Sequence, residues 1–174
     1  KDLAEIVSQV IKRYGIPGTP PLLDRIKNFG FKFATISGIS WGMDDLILPK
    51  KKKELIQNAE EEVSKITDHY QRGLLTEKER YNRILTVWEG VVNEVTKLVP
   101  LALDPNGPIF SMVDAKARGS WTQIRQMSGM KGLVVNPAGK IIELPVISSY
   151  KEGLNALEYF IATHGARKGT ADTA

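Results

Sequence analysis

Between Lys50 and Leu103 apolar residues recur in steps of three and four, with polar residues filling the gaps. In the first half they fall at Leu55, Ala59, Val63, Ile66 and Tyr70, and in the second at Tyr81, Ile84, Trp88, Val91, Val95 and Leu98. The alternation predicts two long helices packed along an antiparallel coiled-coil seam. Gly73 supplies a left-handed stop for the first helix. Thr76, with Glu79 three residues on, forms a capping box that starts the second. A helix of about twenty residues is about 30 Å long, so the tip is expected to project beyond the core as a spacer or docking post.

The flanks carry shorter patterns. Residues 1–14 read as an amphipathic helix with Leu3, Ile6, Val7, Val10 and Ile11, ended by Gly15 and Pro17. Gly18 to Pro21 reads as a turn, and Pro21 opens a short helix carrying Leu22, Leu23, Ile26 and Phe29. Gly30 is expected to interrupt it, and Phe31 to Ile39 fits either a strand or an irregular helix. Asp44 to Pro49 is an extended lead-in to the hairpin.

Beyond the hairpin, Pro100 and Asp104-Pro105-Asn106-Gly107-Pro108 punctuate the chain. Ile109 to Lys116 is a short helix, Ala117-Arg118-Gly119 a turn, and Ser120 with Gln123 a second capping box for a helix through Met127. Gly129 and Gly132 bracket a loop. Val134-Val135 and Ile141-Ile142 flank Asn136 to Lys140 as a small β-hairpin. Ser149 with Glu152 forms a third box, opening a helix with Leu154, Leu157, Phe160 and Ile161 that Gly165 interrupts. The expected fold is mainly α: a long antiparallel coiled-coil hairpin, small helical modules and one short β-hairpin. Four segments follow, at 1–49, 50–103, 104–149 and 150–174.

Composition narrows the chemistry. The chain has 174 residues, 42% of them hydrophobic, and no apolar run long enough to span a bilayer, so no membrane partner is expected. Cysteine is absent, which excludes disulfides, thiolate metal sites and a cysteine nucleophile. The two histidines, His69 and His164, have no metal-ligand spacing. A net charge of +4 permits a nucleic-acid partner without requiring one. Asp44-Asp45 reads as a solvated turn rather than a metal pair, because adjacent carboxylates diverge and no third ligand is spaced to join them. Glu60-Glu61-Glu62 reads as a solvated helix face. Gly139-Lys140 lacks the upstream glycine and the following Ser/Thr of a phosphate loop. The first residues already lie in a helical pattern and the last ones read as helix about to continue, the look of a piece cut from something longer.

Two segments carry more chemistry than a solvated surface needs. Lys116 to Gln126 gathers Arg118, Arg125, Gln126 and a capping serine at a helix start, a ready anion site. Thr163 to Gly169 places the basic pair Arg167-Lys168 between Gly165 and Gly169, where close backbone approach or bending is allowed.

These two segments also resemble a known family. The run from Lys116 to Gly132 resembles the F-loop region of the largest catalytic subunit (β′) of bacterial RNA polymerase. The run from Tyr150 to Ala174, with its His-Gly-Ala-Arg-Lys-Gly wording, is similar to the approach to that subunit's bridge helix and to the helix's first turns. Asp44 to Pro49 and Glu79 to Arg83 fit the funnel and the rim-helix coiled coil of the secondary channel. The resemblance runs in order along essentially the whole chain.

It implies a piece of a nucleotidyltransferase that is inactive by itself, in a cytoplasmic, nucleoid-associated enzyme. Arg118 matches the arginine that approaches the incoming triphosphate, a role suited to a bidentate cation. Arg125 and Gln126 fall in the loop that braces the bridge helix, and Arg167, Lys168 and Gly169 at that helix's hinge, near nucleic acid. The coiled-coil tip, with Gln71, Arg72, Glu77, Arg80, Asn82 and Arg83, matches the docking place of secondary-channel transcription factors. The implied partners are the β, α, ω and σ subunits, DNA template, RNA and nucleoside triphosphates. Asp24, Asn82 and Arg83 fit an alarmone-binding pattern of the family, but Asn28 stands where an aromatic residue is expected. The family's metal-binding aspartate motif is absent from these residues, so no catalytic residue and no metal site are expected here, and Mg²⁺ is expected outside them. A free-standing coiled-coil adaptor is the alternative; it explains the hairpin but not the Arg118 and Arg167 segments.

Overall fold

A computed structural model describes residues 2–173; Lys1 and Ala174, the outer ends of the first and last predicted segments, lie outside the described residues. Six α-helices and no strand form among the described residues, so the fold is mainly α. The chain divides into two compact units between Ser40 and Trp41.

Helix α1 (Asp2–Ser37) makes up the first unit and bends at Gly15, where φ is 70° and ψ 173°. The predicted stop there is a kink between two helical arms. The Thr19 hydroxyl donates to the Gly15 carbonyl at 2.6 Å, and Pro17 falls in the first turn of the second arm, where a missing N–H costs little. The turn expected at 18–21 and the break expected at Gly30 are both helical instead. A lone glycine costs a helix about 1 kcal/mol relative to alanine, which is too little to end it. Phe31 is helical too: Phe29 and Phe33, one turn apart, bring their ring centroids to 4.5 Å.

The second unit opens with a 3₁₀ turn at Met43–Asp45, where an extended lead-in was expected, and only then extends through Leu46, which is fully buried. Helices α2 (Lys52–Gln71) and α3 (Glu77–Ala102) form the hairpin. Gly73 takes φ 74° at the turn. The Glu79 N–H donates to Thr76 Oγ1 at 3.3 Å and the Thr76 N–H returns to the Glu79 carboxylate at 2.9 Å, so the capping box forms as read. Ala59 and Ile66 pack against Ile84, Trp88, Val91 and Val95. The last turn departs from the reading. Val99, fully buried, takes the inward place assigned to Leu98, and α3 continues through Pro100 to Ala102. A proline this late removes one backbone hydrogen bond, while the burial of Val95 and Val99 on the same face holds the helix together.

Helix α4 (Pro108–Asp114) and the four-residue α5 (Trp121–Ile124) follow, and α5 widens into a π-turn over Arg125–Gly129. The Ser120–Gln123 box caps α5, but the helix ends short of Met127 because the backbone passes into that wider turn. Residues 130–149 form an extended arm, and α6 (Ala156–Thr173) closes the unit, continuing straight through Gly165.

The arm corrects the predicted β-hairpin. The chain does reverse at Asn136 to Lys140, where the Asn136 N–H donates to the Lys140 carbonyl at 2.8 Å. Only two isolated antiparallel bridges form, Val135 with Ile141 and Gly132 with Val146. Between them lie two residues on one side and four on the other, so no continuous ladder can run, and Pro145 has no N–H to give one. Val134 and Val146 instead pack with Ile161 and Ala162 of α6 as a small second core.

The arm also climbs the side of the hairpin. Arg80 donates two hydrogen bonds to Glu143, at 2.7 and 3.0 Å, and the Tyr81 hydroxyl donates to the Ile141 carbonyl at 2.9 Å. These contacts reach the first turns of α3. The hairpin therefore projects less freely than its length suggests.

The third capping box forms its hydrogen bonds but starts no helix. The Glu152 N–H reaches Ser149 Oγ at 3.4 Å and the Ser149 N–H reaches Glu152 at 2.8 Å, yet Gly153 turns the chain away with φ 83°. The working cap lies six residues on. Asn155 Oδ1 accepts the Glu158 N–H at 2.8 Å, and the Glu158 carboxylate accepts from the N–H groups of Asn155, Ile147 and Ser148. Burial pushes the Glu158 carboxyl up, but the hydrogen bonds from Ser148, Asn155 and Ile147 outweigh it and hold it below the ordinary value. A depressed folded-state pKa adds stability above the unfolded-state value of about 4.3, and that stability is lost as pH falls through the folded value. Glu158→Gln is expected to cost about 1–3 kcal/mol near neutrality and to flatten the acid limb of stability below about pH 4, measured by urea unfolding across pH.

Candidate functional site

The segment from Asp114 to Gly129 is built from two left-handed turns and a widened helix. After α4, Lys116 takes φ 56° and Gly119 φ 84°. The N–H groups of Ala117 and Arg118 share the Met112 carbonyl at 3.1 and 3.3 Å, which closes the end of α4. This fixes the backbone of Arg118 while leaving its side chain exposed. Arg118 borders a cavity of about 110 Å³ walled by Trp41, Met112, Val113 and Ile124.

Arg125 and Gln126 sit in the π-turn and serve two different contacts. Gln126 and Met127 offer their carbonyls to the N–H groups of Tyr150 and Lys151, each at 3.0 Å, which ties this loop to the lead-in of α6. Arg125 turns inward and is buried. Two glycines make that possible. A β-carbon on Gly129 would stand 2.7 Å from Val95 Cγ1, and one on Gly132 2.9 Å from Val92 Cγ2.

Arg167 and Gly169 are exposed on α6, and Lys168 pairs with Asp172 at 3.0 Å. No hydrogen bond or ion pair among the described residues joins Arg118 to Arg167 or Lys168. Both basic segments lie in the second unit. Gly165 marks where α6 meets the arm, since a β-carbon there would lie 3.2 Å from Val134 Cγ1.

At the hairpin tip Gln71, Arg72, Glu77, Asn82 and Arg83 are exposed. Arg80 is not a free cation. Its hydrogen bonds to Glu143 hold its pKa above the ordinary value, and its guanidinium stacks 5.3 Å from the Tyr70 ring centroid. Sequence reasoning missed Leu74, an exposed leucine on the tip turn. The signal was an apolar residue directly after the glycine stop, outside either helix's seam. It also missed Glu143 as the partner of Arg80. Among the described residues no three His, Asp or Glu side chains gather as metal ligands, and no helix is long and apolar enough to cross a membrane.

A family model described as RNA polymerase Rpb1, domain 4, matches residues 44–152. The chain belongs to that family. It is similar along its whole length to proteins named DNA-directed RNA polymerase subunit beta': 46% identical over 174 residues to that of Pelotomaculum thermopropionicum and 47% over 174 residues to that of Lysinibacillus sphaericus. It is 45% identical to the Bacillus subtilis protein over 172 residues, or 99% of the chain. The chain spans about 15% of the first of these relatives and 14% of the other two.

Proposed function

We propose that these residues work within an assembled DNA-directed RNA polymerase, as the part of its β′ subunit that borders the secondary channel and helps place the incoming nucleoside triphosphate. The observation that carries the reading is the presentation of Arg118. Its backbone is fixed by the closed end of α4 and by the left-handed Gly119, and its guanidinium is exposed. A held backbone with a free planar cation suits bidentate contact to a phosphate. Gln126, tied to the lead-in of α6, braces that helix as the bridge helix, and Arg167, Lys168 and Gly169 form its basic, bendable start near nucleic acid. The exposed tip, with Leu74 among polar side chains, receives secondary-channel factors. The partners are the other polymerase subunits, DNA and RNA.

Phosphoryl transfer in such an enzyme needs Mg²⁺ to neutralise developing charge. In this reading the ion is held by residues outside these; among the described residues no three His, Asp or Glu side chains gather as ligands. What this chain contributes is orientation and charge.

The test is Arg118→Glu in the assembled polymerase, read by single-nucleotide addition kinetics. Losing one charge-assisted contact of about 1.5–3 kcal/mol predicts apparent triphosphate affinity or addition rate lower by roughly 10- to 100-fold, with assembly intact. Unchanged kinetics would leave Arg118 a turn residue and remove the triphosphate role.

A further inference from the structure

Arg125 is 8% exposed. Its side chain threads past two glycines: a β-carbon on Gly129 would lie 3.3 Å from its Cγ, and one on Gly132 3.4 Å from Nη1. It lines a cavity of about 280 Å³, together with the polar residues Glu89, Asn93 and Lys131. The Nε of Arg125 is buried and has no hydrogen-bond partner among the described residues, and no carboxylate there comes within ion-pair distance of the guanidinium. Burial pulls the guanidinium below its ordinary pKa, yet arginine stays charged under any physiological condition. A buried, unpaired cation is costly, and an anion brought to it recovers part of that cost.

We propose that this cavity binds a small monocarboxylate with a short aryl or branched-alkyl body. A carboxylate can present its two oxygens to the Nη1/Nη2 end of the guanidinium, a bidentate geometry that arginine favours, since Nε itself is closed off from solvent. The charges around the cavity select a monoanion. Arg125 and Lys131 are positive and Glu89 is negative, so a single negative charge balances the lining, while a di- or triphosphate would overshoot beside Glu89. The Lys131 ammonium is held by Tyr150, with the hydroxyl at 3.1 Å and the ring centroid at 5.4 Å, which fixes the second cation in place. Leu133, Val135 and Ile141 form the apolar wall that receives the body of the ligand, and Asn93 adds an amide.

The test uses the full-length protein that carries these residues, with 4-fluorobenzoate as the probe followed by ¹⁹F NMR. Saturable binding is expected, displaced by unlabelled benzoate but not by an equal concentration of inorganic phosphate, and absent for the neutral 4-fluorobenzamide. Arg125→Met is expected to weaken binding at least about tenfold, the loss of one charge-assisted contact. Should that variant fail to fold, Val135→Phe carries the test, because it fills the apolar side and leaves the cation untouched; it too is expected to weaken binding about tenfold. Absence of fluorobenzoate binding overturns the proposal. So does equal binding of the benzamide, equal competition by phosphate, or affinity unchanged in every variant that folds.

Discussion

Trp88→Ala is expected to destabilise the second unit by about 3–5 kcal/mol, the range for removing a buried tryptophan from a packed core. Trp88 is 4% exposed and belongs to the cluster that joins Ile84, Val91 and Val95 of α3 to Ala59 and Ile66 of α2. It also walls a cavity with Val63, Leu144 and Ile147, so its ring touches the side where the arm lies. Truncation therefore loosens both the hairpin seam and the seat of the arm. Urea unfolding followed by far-ultraviolet circular dichroism measures the loss. A shift below about 1 kcal/mol would mean that the hairpin holds without this ring.

Gly132→Ala is the second large effect, and it has two separable sources. At φ 89° a β-carbon is strained wherever there is room for it, which costs about 1–3 kcal/mol. Here there is no room, because the new carbon would stand 2.9 Å from Val92 Cγ2, an overpacking cost of about another 1–3 kcal/mol. Valine is short and β-branched, so it cannot swing aside. Combining Gly132→Ala with Val92→Ala separates the two: relief of the clash is expected as a coupling energy of about 1 kcal/mol or more, with the backbone strain remaining. Additive losses in the double variant would mean that φ alone accounts for the effect.

What the sequence made legible was local. Gly73, Thr76 and Glu79 lie within seven consecutive residues, and their roles follow from backbone geometry alone. The seam residues from Leu55 to Ile66 and from Ile84 to Val95 were equally readable, because burial follows the helical period as long as the period is kept. Tyr70, assigned to the seam, is 38% exposed and lies beside Arg80 instead. Leu98 was misplaced because Val95 to Val99 is a step of four where three was assumed. The Ser149–Glu152 box was misread as a helix start because its hydrogen bonds do form. The same pattern recurs at Asn155–Glu158, and Gly153 between them decides which one opens α6. The β-hairpin failed on register, since the unequal spacing of its two arms appears only when the paired residues are known. At the candidate site, the exposed Arg118 could be read from its turn. The burial of Arg125 and the pairing of Arg80 with Glu143 could not, because each depends on residues distant in sequence.

That distance also orders events in time. The contacts between α2 and α3 close a short loop, whereas the clasp of Arg80 on Glu143 spans 63 residues and that of Lys52 on Glu152 spans 100. Loop-closure entropy rises with separation, and non-local contacts are reached late. The hairpin thus forms first as a fast-folding scaffold, and the arm is recruited to a surface already in place. Substitutions at Glu143 or Glu152 should then speed unfolding while leaving the folding rate nearly untouched.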